Sequence, residues 1–290
     1  MENNDTKHVT TLLKGGVGNQ MFQIACGWSL AKKLGFTYVL SNSKFIVPGG
    51  QGNTMPCYKE TLYSKLQFVD SIVNCKHYNA KSFLYYDLMK DLSNSTTSIC
   101  LEGYFQSEKN FKQHKKEIRE LFTPQQGFKN WLLENSSLVS ELPELFSDEH
   151  DLVFIGVRRG DYLGKNKSIH NPCGMIYYQR AMNLLPSQKY CIASDDIDWC
   201  RQNFTGNQYY FFDISQKNDY EQLAAMTLFK KFIISNSSFY WWGSYLSVHG
   251  DDVFIVAPDK WISPPHDRDT WKKDYIYRDN MTIVTRPVET

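Results

Sequence analysis

From residue 152 to residue 256 the chain alternates short apolar runs with helical patterns in unbroken succession, and no other feature constrains the fold as much. The runs at 152–157, 190–193, 209–212, 232–234 and 253–256 have the length and the β-branched or aromatic content of buried strands. Between them, the patterns at 176–185, 197–204, 220–229 and 238–249 repeat apolar residues at helical spacing. Strands joined through helices run parallel, cross over right-handed and carry helices on their faces. The expectation is a doubly wound α/β domain.

The first part of the chain repeats the theme less regularly. A strand is expected at 9–13, then Gly15-Gly16-Val17-Gly18, then a helix over 21–34 that stops at Lys32, Lys33 and Gly35. A second strand starts at 39–40, which completes a βαβ unit. The stretch 41–98 is irregular, with a loop at Pro48-Gly49-Gly50 and apolar runs near 68–73 and 83–89. A strand is expected at 99–103 and a charged helix over 105–122. Residues 123–151 are polar and hold Pro124, Gly127 and Pro143, so the crossing into the second domain is placed at 145–151. Two domains result, 1–148 and 149–290, each large enough for its own core.

Composition excludes some classes of function. The net charge of +1 gives no global attraction to nucleic acid. No run approaches the roughly 18 apolar residues of a membrane span, and the polar start lacks a signal-peptide core. Lys112, Lys115, Lys116 and Arg119 read as a solvated helix face, with at most a peripheral membrane role. Seven cysteines, none in a C-x-x-C pair, fit buried thiols in a reducing cytoplasm. Aromatic residues make up 15% of the chain, enough to fill cores and also to line a carbohydrate cleft.

Four strand-to-helix junctions carry chemistry. At the first, Gly15 to Gln20, glycines let backbone approach a ligand, and the helix start favours anions. It has neither the G-x-G-x-x-G spacing nor the Lys-Ser/Thr of a P-loop, and a tight structural turn fits equally well. At the second, Arg158-Arg159-Gly160-Asp161-Tyr162 follows a strand, where ligands of open α/β sheets bind. Guanidinium forks match phosphate oxygens. Neighbouring strand residues face opposite ways, so one arginine is expected on a diphosphate and the other on a carboxylate, for which Asp161 is a candidate. A purely structural Arg–Asp network is the alternative.

At the third junction, Ser194 or Asp195 suits a helix cap, whereas Asp196 and Asp198 form a D-x-D of the kind that holds a divalent metal. Asp267-Arg268-Asp269 is a second such triplet. At the fourth, Ser235, Ser237 and Ser238 precede the aromatic helix of Trp241 and Trp242 and offer a second phosphate cradle. His170, with an ordinary pKa near 6.5, is placed ahead of Asp161 as a general base, since two adjacent arginines favour an ionised, ion-paired Asp161. Cys173 reads as packing.

Together the segments 15–25, 101–108, 158–162, 194–200 and 235–246 resemble the α-1,2-fucosyltransferases of glycosyltransferase family 11, in family order and across nearly the whole chain. The resemblance implies a GT-B-like pair of Rossmann-like domains facing across a cleft, with the acceptor on 1–148 and GDP-fucose on 149–290. It implies inverting transfer of L-fucose from GDP-fucose to the 2-hydroxyl of a terminal β-galactoside, without a metal, in cytoplasmic assembly of a surface polysaccharide. Arg158 and Arg159 would grip the diphosphate. Gly18, Asn19 and Gln20 would reach the donor–acceptor junction. Ser237 and Ser238 would lie near the phosphates, with Ser194 and Asp195 in the same nucleotide site. Glu221 or Asp219 would accept from guanine, although Gln222 stands where an aspartate is expected. The sequence departs from the family at Gly156, where a histidine is usual two residues before the first arginine. That departure leaves an altered donor, or a non-catalytic sugar- or nucleotide-binding protein, as alternatives. The other is a metal-dependent GT-A-type enzyme using Asp196 and Asp198.

Overall fold

The computed structural model describes residues 6–42, 58–72, 74–80, 82, 84–123, 142–147, 151–164, 169–213, 219–262 and 275–287. Asp267 and Asp269 lie outside them, as do Pro48 to Gly50. The chain forms two compact units. The first comprises Met1–Thr123 with Thr270–Tyr277, and the second Pro124–Asp269 with Arg278–Thr290. The sequence reading placed a single crossing near 148; by compactness the first unit ends at Thr123, and a late segment returns to it.

In the first unit, β1 (His8–Thr11) leads into α1 (Val17–Leu34) and then β2 (Thr37–Tyr38). β3 (Leu40–Ser41) and β4 (Phe68–Val69) form a small two-stranded sheet. β5 (Cys75–Asn79), α2 (Met89–Leu92), β6 (Ser98–Glu102) and α3 (Lys115–Phe122) follow. The main sheet has the order β2-β1-β6-β5, all parallel. α1 begins four residues earlier than its apolar pattern suggested, so Asn19 and Gln20 are helical. It ends where expected: Gly35 adopts φ 69°, which only glycine takes readily, and its N–H donates to the Lys32 carbonyl. The helix expected over 105–122 is α-helical only from Lys115 and is preceded by two 3₁₀ turns.

In the second unit the succession is β7 (Leu152–Val157), α4 (Met175–Leu184), β8 (Lys189–Ser194), α5 (Ile197–Asn203), β9 (Tyr209–Asp213), α6 (Asp219–Met226), β10 (Lys231–Ile234), α7 (Ser238–Tyr245), β11 (Phe254–Pro258) and β12 (Met281–Val284). β12 was not anticipated; its end residues Met281 and Val284 are buried and the two between them exposed, with no alternation. All six strands are parallel, in the order β12-β11-β10-β7-β8-β9. The chain winds one way from β7 to β9, then returns to β10 on the other side of β7. The order therefore reverses between β7 and β10, and such a switch point opens a crevice at the carboxyl ends of the strands.

The core explains why these strands are central. All six residues of β7 are buried, as a strand covered on both faces requires. On one face Val153, Ile155 and Val157 join Tyr177, Tyr178 and Ile192. Phe154 packs on the other against Phe229, Phe232 and Tyr240. Trp241, Trp242 and Tyr245 of α7 are fully buried, with Trp241 stacked on Tyr245 at 5.0 Å. Side chains of this size contribute roughly 1.5–3 kcal/mol each on burial.

Candidate functional site

β7 ends at Val157, and the next two residues are Arg158 and Arg159, directly at the switch point. The Arg158 Nη2 donates to Asp161 Oδ1 at 2.6 Å, and its Nη1 lies 3.2 Å from Asp195 Oδ2. The Tyr162 ring lies beneath it, 5.7 Å away. Burial alone would lower the guanidinium's pKa, but the Asp195 and Asp161 carboxylates outweigh burial and raise it. Two of its five N–H donors serve these ion pairs, and a third of the side chain remains exposed.

Arg159 is spent differently. Its Nε donates to Asp196 Oδ2 at 3.1 Å, and its guanidinium stacks 3.9 Å above the Trp199 ring. Only 13% of the side chain is exposed. Both arginines are paired with carboxylates, and Asp161 belongs to Arg158, the more exposed of the two. The anchor of Arg159 is Asp196.

The third junction closes on the second. Asp195 Oδ1 accepts from the Arg159 backbone N–H at 2.8 Å. A Cβ on Gly160 would sit 2.6 Å from Asp195 Oδ2, so glycine is what lets this carboxylate reach both arginine residues. Ser194 is buried, and its hydroxyl accepts from the Asp196 N–H. Asp196 Oδ1 caps α5 by accepting from the Trp199 N–H. The metal pair considered for Asp196 and Asp198 is therefore corrected. Asp196 is committed on both oxygens, and the exposed Asp198 faces Arg201 at 3.4 Å. Counting Asp161, Asp195 and Asp196 against Arg158 and Arg159, three negative charges meet two positive ones. An anion here must be held by directed hydrogen bonds rather than by surplus charge.

The fourth junction sits beside it. The Ser235 N–H donates to the Gly156 carbonyl, and the Tyr162 hydroxyl to the Asn236 carbonyl. Ser237 caps α7 in extended conformation, but its side chain makes no cap hydrogen bond. The helix start, with its partial positive charge, thus adjoins the end of β7. The Tyr240 hydroxyl reaches the Val157 and Ala193 carbonyls at 3.1 and 3.2 Å, tying together the strand ends that carry Arg158 and Asp195. A Cβ on Gly156 would lie 2.5 Å from the Tyr240 ring. The missing histidine is thus a packing matter: Tyr240 occupies the space that a side chain at 156 would need.

His170 lies beside this cluster. Its ring stacks on Tyr162 at 4.7 Å. Nδ1 is buried without a hydrogen bond among the described residues, and the ring bonds the Trp261 backbone. Burial lowers its pKa, more than that backbone bond and Asp161 raise it. The Cys173 thiol, fully buried, is pushed up to about 11, chiefly by desolvation. Asp219 and Glu221 fall in the first turn of α6, after the edge strand β9, and Gln222 is buried.

In the first unit, the glycine-rich turn is closed by amides. Gln23 is fully buried and exchanges two hydrogen bonds of 2.9 Å with the Lys14 backbone. Gln20, also buried, donates to the Gly15 carbonyl at 3.0 Å and accepts from the Tyr63 hydroxyl at 3.1 Å. Gly15 needs to be glycine: φ is 77°, and a Cβ would meet the Asn19 amide at 2.6 Å. Asn19 Oδ1 accepts from Gln106 at 2.6 Å, and Gln106 in turn accepts from the Tyr275 hydroxyl at 2.6 Å. Gln106 lies in the segment 101–108 singled out by resemblance, but nothing in the sequence pointed to Tyr275.

Two parallel Rossmann-like sheets, one of them carrying paired arginines at its switch point, define a chain of the α/β glycosyltransferase class. The profile of Glycosyl transferase family 11 matches residues 1–280, and the chain belongs to that family. Among its relatives, the O-antigen biosynthesis glycosyltransferase WbnK of Escherichia coli is 24% identical, over 87% of this chain and 94% of that protein. An alpha-1,2-colitosyltransferase of Escherichia coli is 28% identical, over 88% of this chain and 92% of that protein. Of solved structures, fucosyltransferase NodZ from Bradyrhizobium aligns at 12% identity with a TM-score of 0.46, over 83% of this chain and 94% of that one. A family 9 glycosyl transferase from Veillonella parvula aligns at 11% identity and 0.48, over 97% and 86%. No helix among the described residues is long and apolar enough to cross a membrane.

Proposed function

We propose that this glycosyltransferase moves L-fucose from GDP-fucose to the 2-hydroxyl of a terminal β-galactoside, with inversion, during assembly of a surface polysaccharide of the O-antigen kind. The observation that carries the reading is the Arg158 guanidinium, held by Asp161 and Asp195 at the switch point beside the start of α7. The acceptor hydroxyl attacks the anomeric carbon as the diphosphate leaves on the opposite face. Charge grows on the leaving group, and Arg158, the Ser237 and Ser238 segment and the α7 N–H groups donate to it. Arg159, clamped by Asp196 and Trp199, keeps the turn in place. Of the two base candidates, Asp161 is ion-paired with this guanidinium, which makes it a weak base and a positioning group; His170, kept neutral by burial, is assigned the acceptor's proton. Asn19, fixed by Gln106, is assigned to the acceptor side with Gly18 and Gln20. Glu221 is assigned to the guanine.

The colitosyltransferase among the relatives favours a second donor, GDP-colitose. A screen of GDP-fucose, GDP-colitose and UDP-sugars against lactose and other β-galactosides, read by mass spectrometry and linkage analysis, decides between them. Each reaction is run in Mg²⁺ and in EDTA. Equal initial rates with GDP-fucose and a 1,2-linked product are expected. Turnover with UDP-sugars alone, or binding of GDP-fucose without transfer to any acceptor, overturns the proposal.

A further inference from the structure

β5 is an edge strand that buries little. Of its five residues, Lys76, His77 and Asn79 are exposed, and Cys75 and Tyr78 only half-buried. On a parallel ladder, residues two apart share a face, and so do register partners. Cys75 and His77 are two apart, and His77 is the register partner of Cys100 in β6. The three side chains therefore converge on one face of the sheet. Their ligand atoms all lie within 4.8 Å of one another, with Cys75 Sγ 3.8 Å from His77 Nε2. Among the described residues this is the sole such cluster of three.

We infer that Cys75, His77 and Cys100 form a zinc site that fastens the edge strand β5 to β6. Tetrahedral Zn²⁺ with bonds of about 2.3 Å to sulfur and 2.0–2.1 Å to nitrogen sets its ligands about 3.5–3.8 Å apart. The cysteine–histidine pair already meets that spacing, and the third ligand needs a shift of about 1 Å at most. Cys75 and Cys100 also border a small void of about 10 Å³. Two thiolates and an imidazole are soft donors that select zinc over magnesium, calcium or manganese. Binding releases both thiol protons, which leaves the three-ligand site neutral, and a water completes the tetrahedron. The remaining described cysteines differ. Cys26, Cys173, Cys191 and Cys200 belong to no such cluster of three among the described residues.

The ion's role is structural. Cys75 opens β5, and His77 and Cys100 are the middle residues of β5 and β6, whereas the glycine-rich turn follows the end of β1. Catalysis does not pass through it, and this inference stands whatever the donor and acceptor are.

The test uses the reduced full-length protein, stripped of metal and titrated with Zn²⁺ against a colorimetric chelator, with Co²⁺ as a spectroscopic stand-in. One equivalent is expected, with thiolate-to-cobalt absorption and a rise in Tm on adding Zn²⁺. His77→Ala, on an exposed edge position where folding is safe, and Cys75→Ser should weaken binding about 100-fold or more, and lose the rise in Tm. Zinc affinity unchanged in His77→Ala, cobalt spectra without thiolate bands, or a Cys75–Cys100 disulfide recovered from cells lysed with a thiol-blocking reagent would each overturn the site.

Discussion

At the end of β1 the turn into α1 is tied down by neutral amides, whereas at the end of β7 the corresponding turn is tied down by ion pairs. Gln20, Gln23 and Gln106 hold the first through hydrogen bonds to backbone and to one another's neighbours. Arg158, Arg159, Asp161, Asp195 and Asp196 hold the second. Amide clamps fix geometry and add no charge, so a neutral sugar can approach them without a change in ionisation. A charged clamp fixes geometry and also offers donors for an anion. It is strained by any change that leaves one charge unmatched.

Cutting the charged clamp at its exposed arginine should show the largest effect. Arg158→Ala is expected to lower turnover on the order of a hundredfold or more, about 2.7 kcal/mol of barrier, with the fold retained by circular dichroism. Arg159→Ala should separate from it. Losing the Asp196 pair and the Trp199 stack is expected to lower stability by about 1–3 kcal/mol in urea denaturation, with a smaller loss of turnover. If the two variants behave alike, the division of labour between the arginines is wrong. The neutral clamp should respond in stability alone: Gln23→Leu strands the Lys14 backbone groups, for about 2–3 kcal/mol.

A smaller effect sharpens the reading of Gly156. Gly156→Ala drives a methyl into the Tyr240 ring and is expected to cost about 1–3 kcal/mol. In a Tyr240→Ala background the same change should cost much less, and a double-mutant cycle measures that coupling. Equal costs in both backgrounds would mean that something other than Tyr240 excludes a side chain there.

The smallest effect is a pH dependence. His170 has a folded pKa below its ordinary 6.5, so the unfolded chain binds the proton more readily. Stability is then full above pH 6.5, and this contribution is lost as pH falls from there through the folded value. The slope of Tm against pH should flatten in His170→Phe, which keeps the stack on Tyr162. An unchanged slope would assign the dependence to another group.

The doubly wound domain was legible because its strands are buried on both faces and its helices repeat strictly; most of its elements lie within two residues of their expected positions. β12 escaped because a four-residue edge strand, buried at its two ends and exposed between, has no such pattern. Residues 105–114 misled because charged residues at helical spacing fit two 3₁₀ turns as well as an α-helix. The arginine pair and the glycine-rich turn could be read from local spacing, whereas the α5 cap, expected at Ser194 or Asp195, is Asp196. What no spacing could supply were contacts between distant residues. Tyr240 against Gly156, Asp195 shared by two arginine residues, and Cys100 opposite His77 depend on which strands become neighbours.

The segment Thr270–Tyr277 has a consequence for how the chain is made. It belongs to the first compact unit, and its Tyr275, only 4% exposed, closes the hydrogen-bond relay through Gln106 to Asn19. On the ribosome, the amino-terminal unit must therefore wait with an open seam while Pro124–Asp269 of the next one is synthesised. A nascent chain arrested before residue 270 should expose that seam to protease, and release of the last segment should seal it.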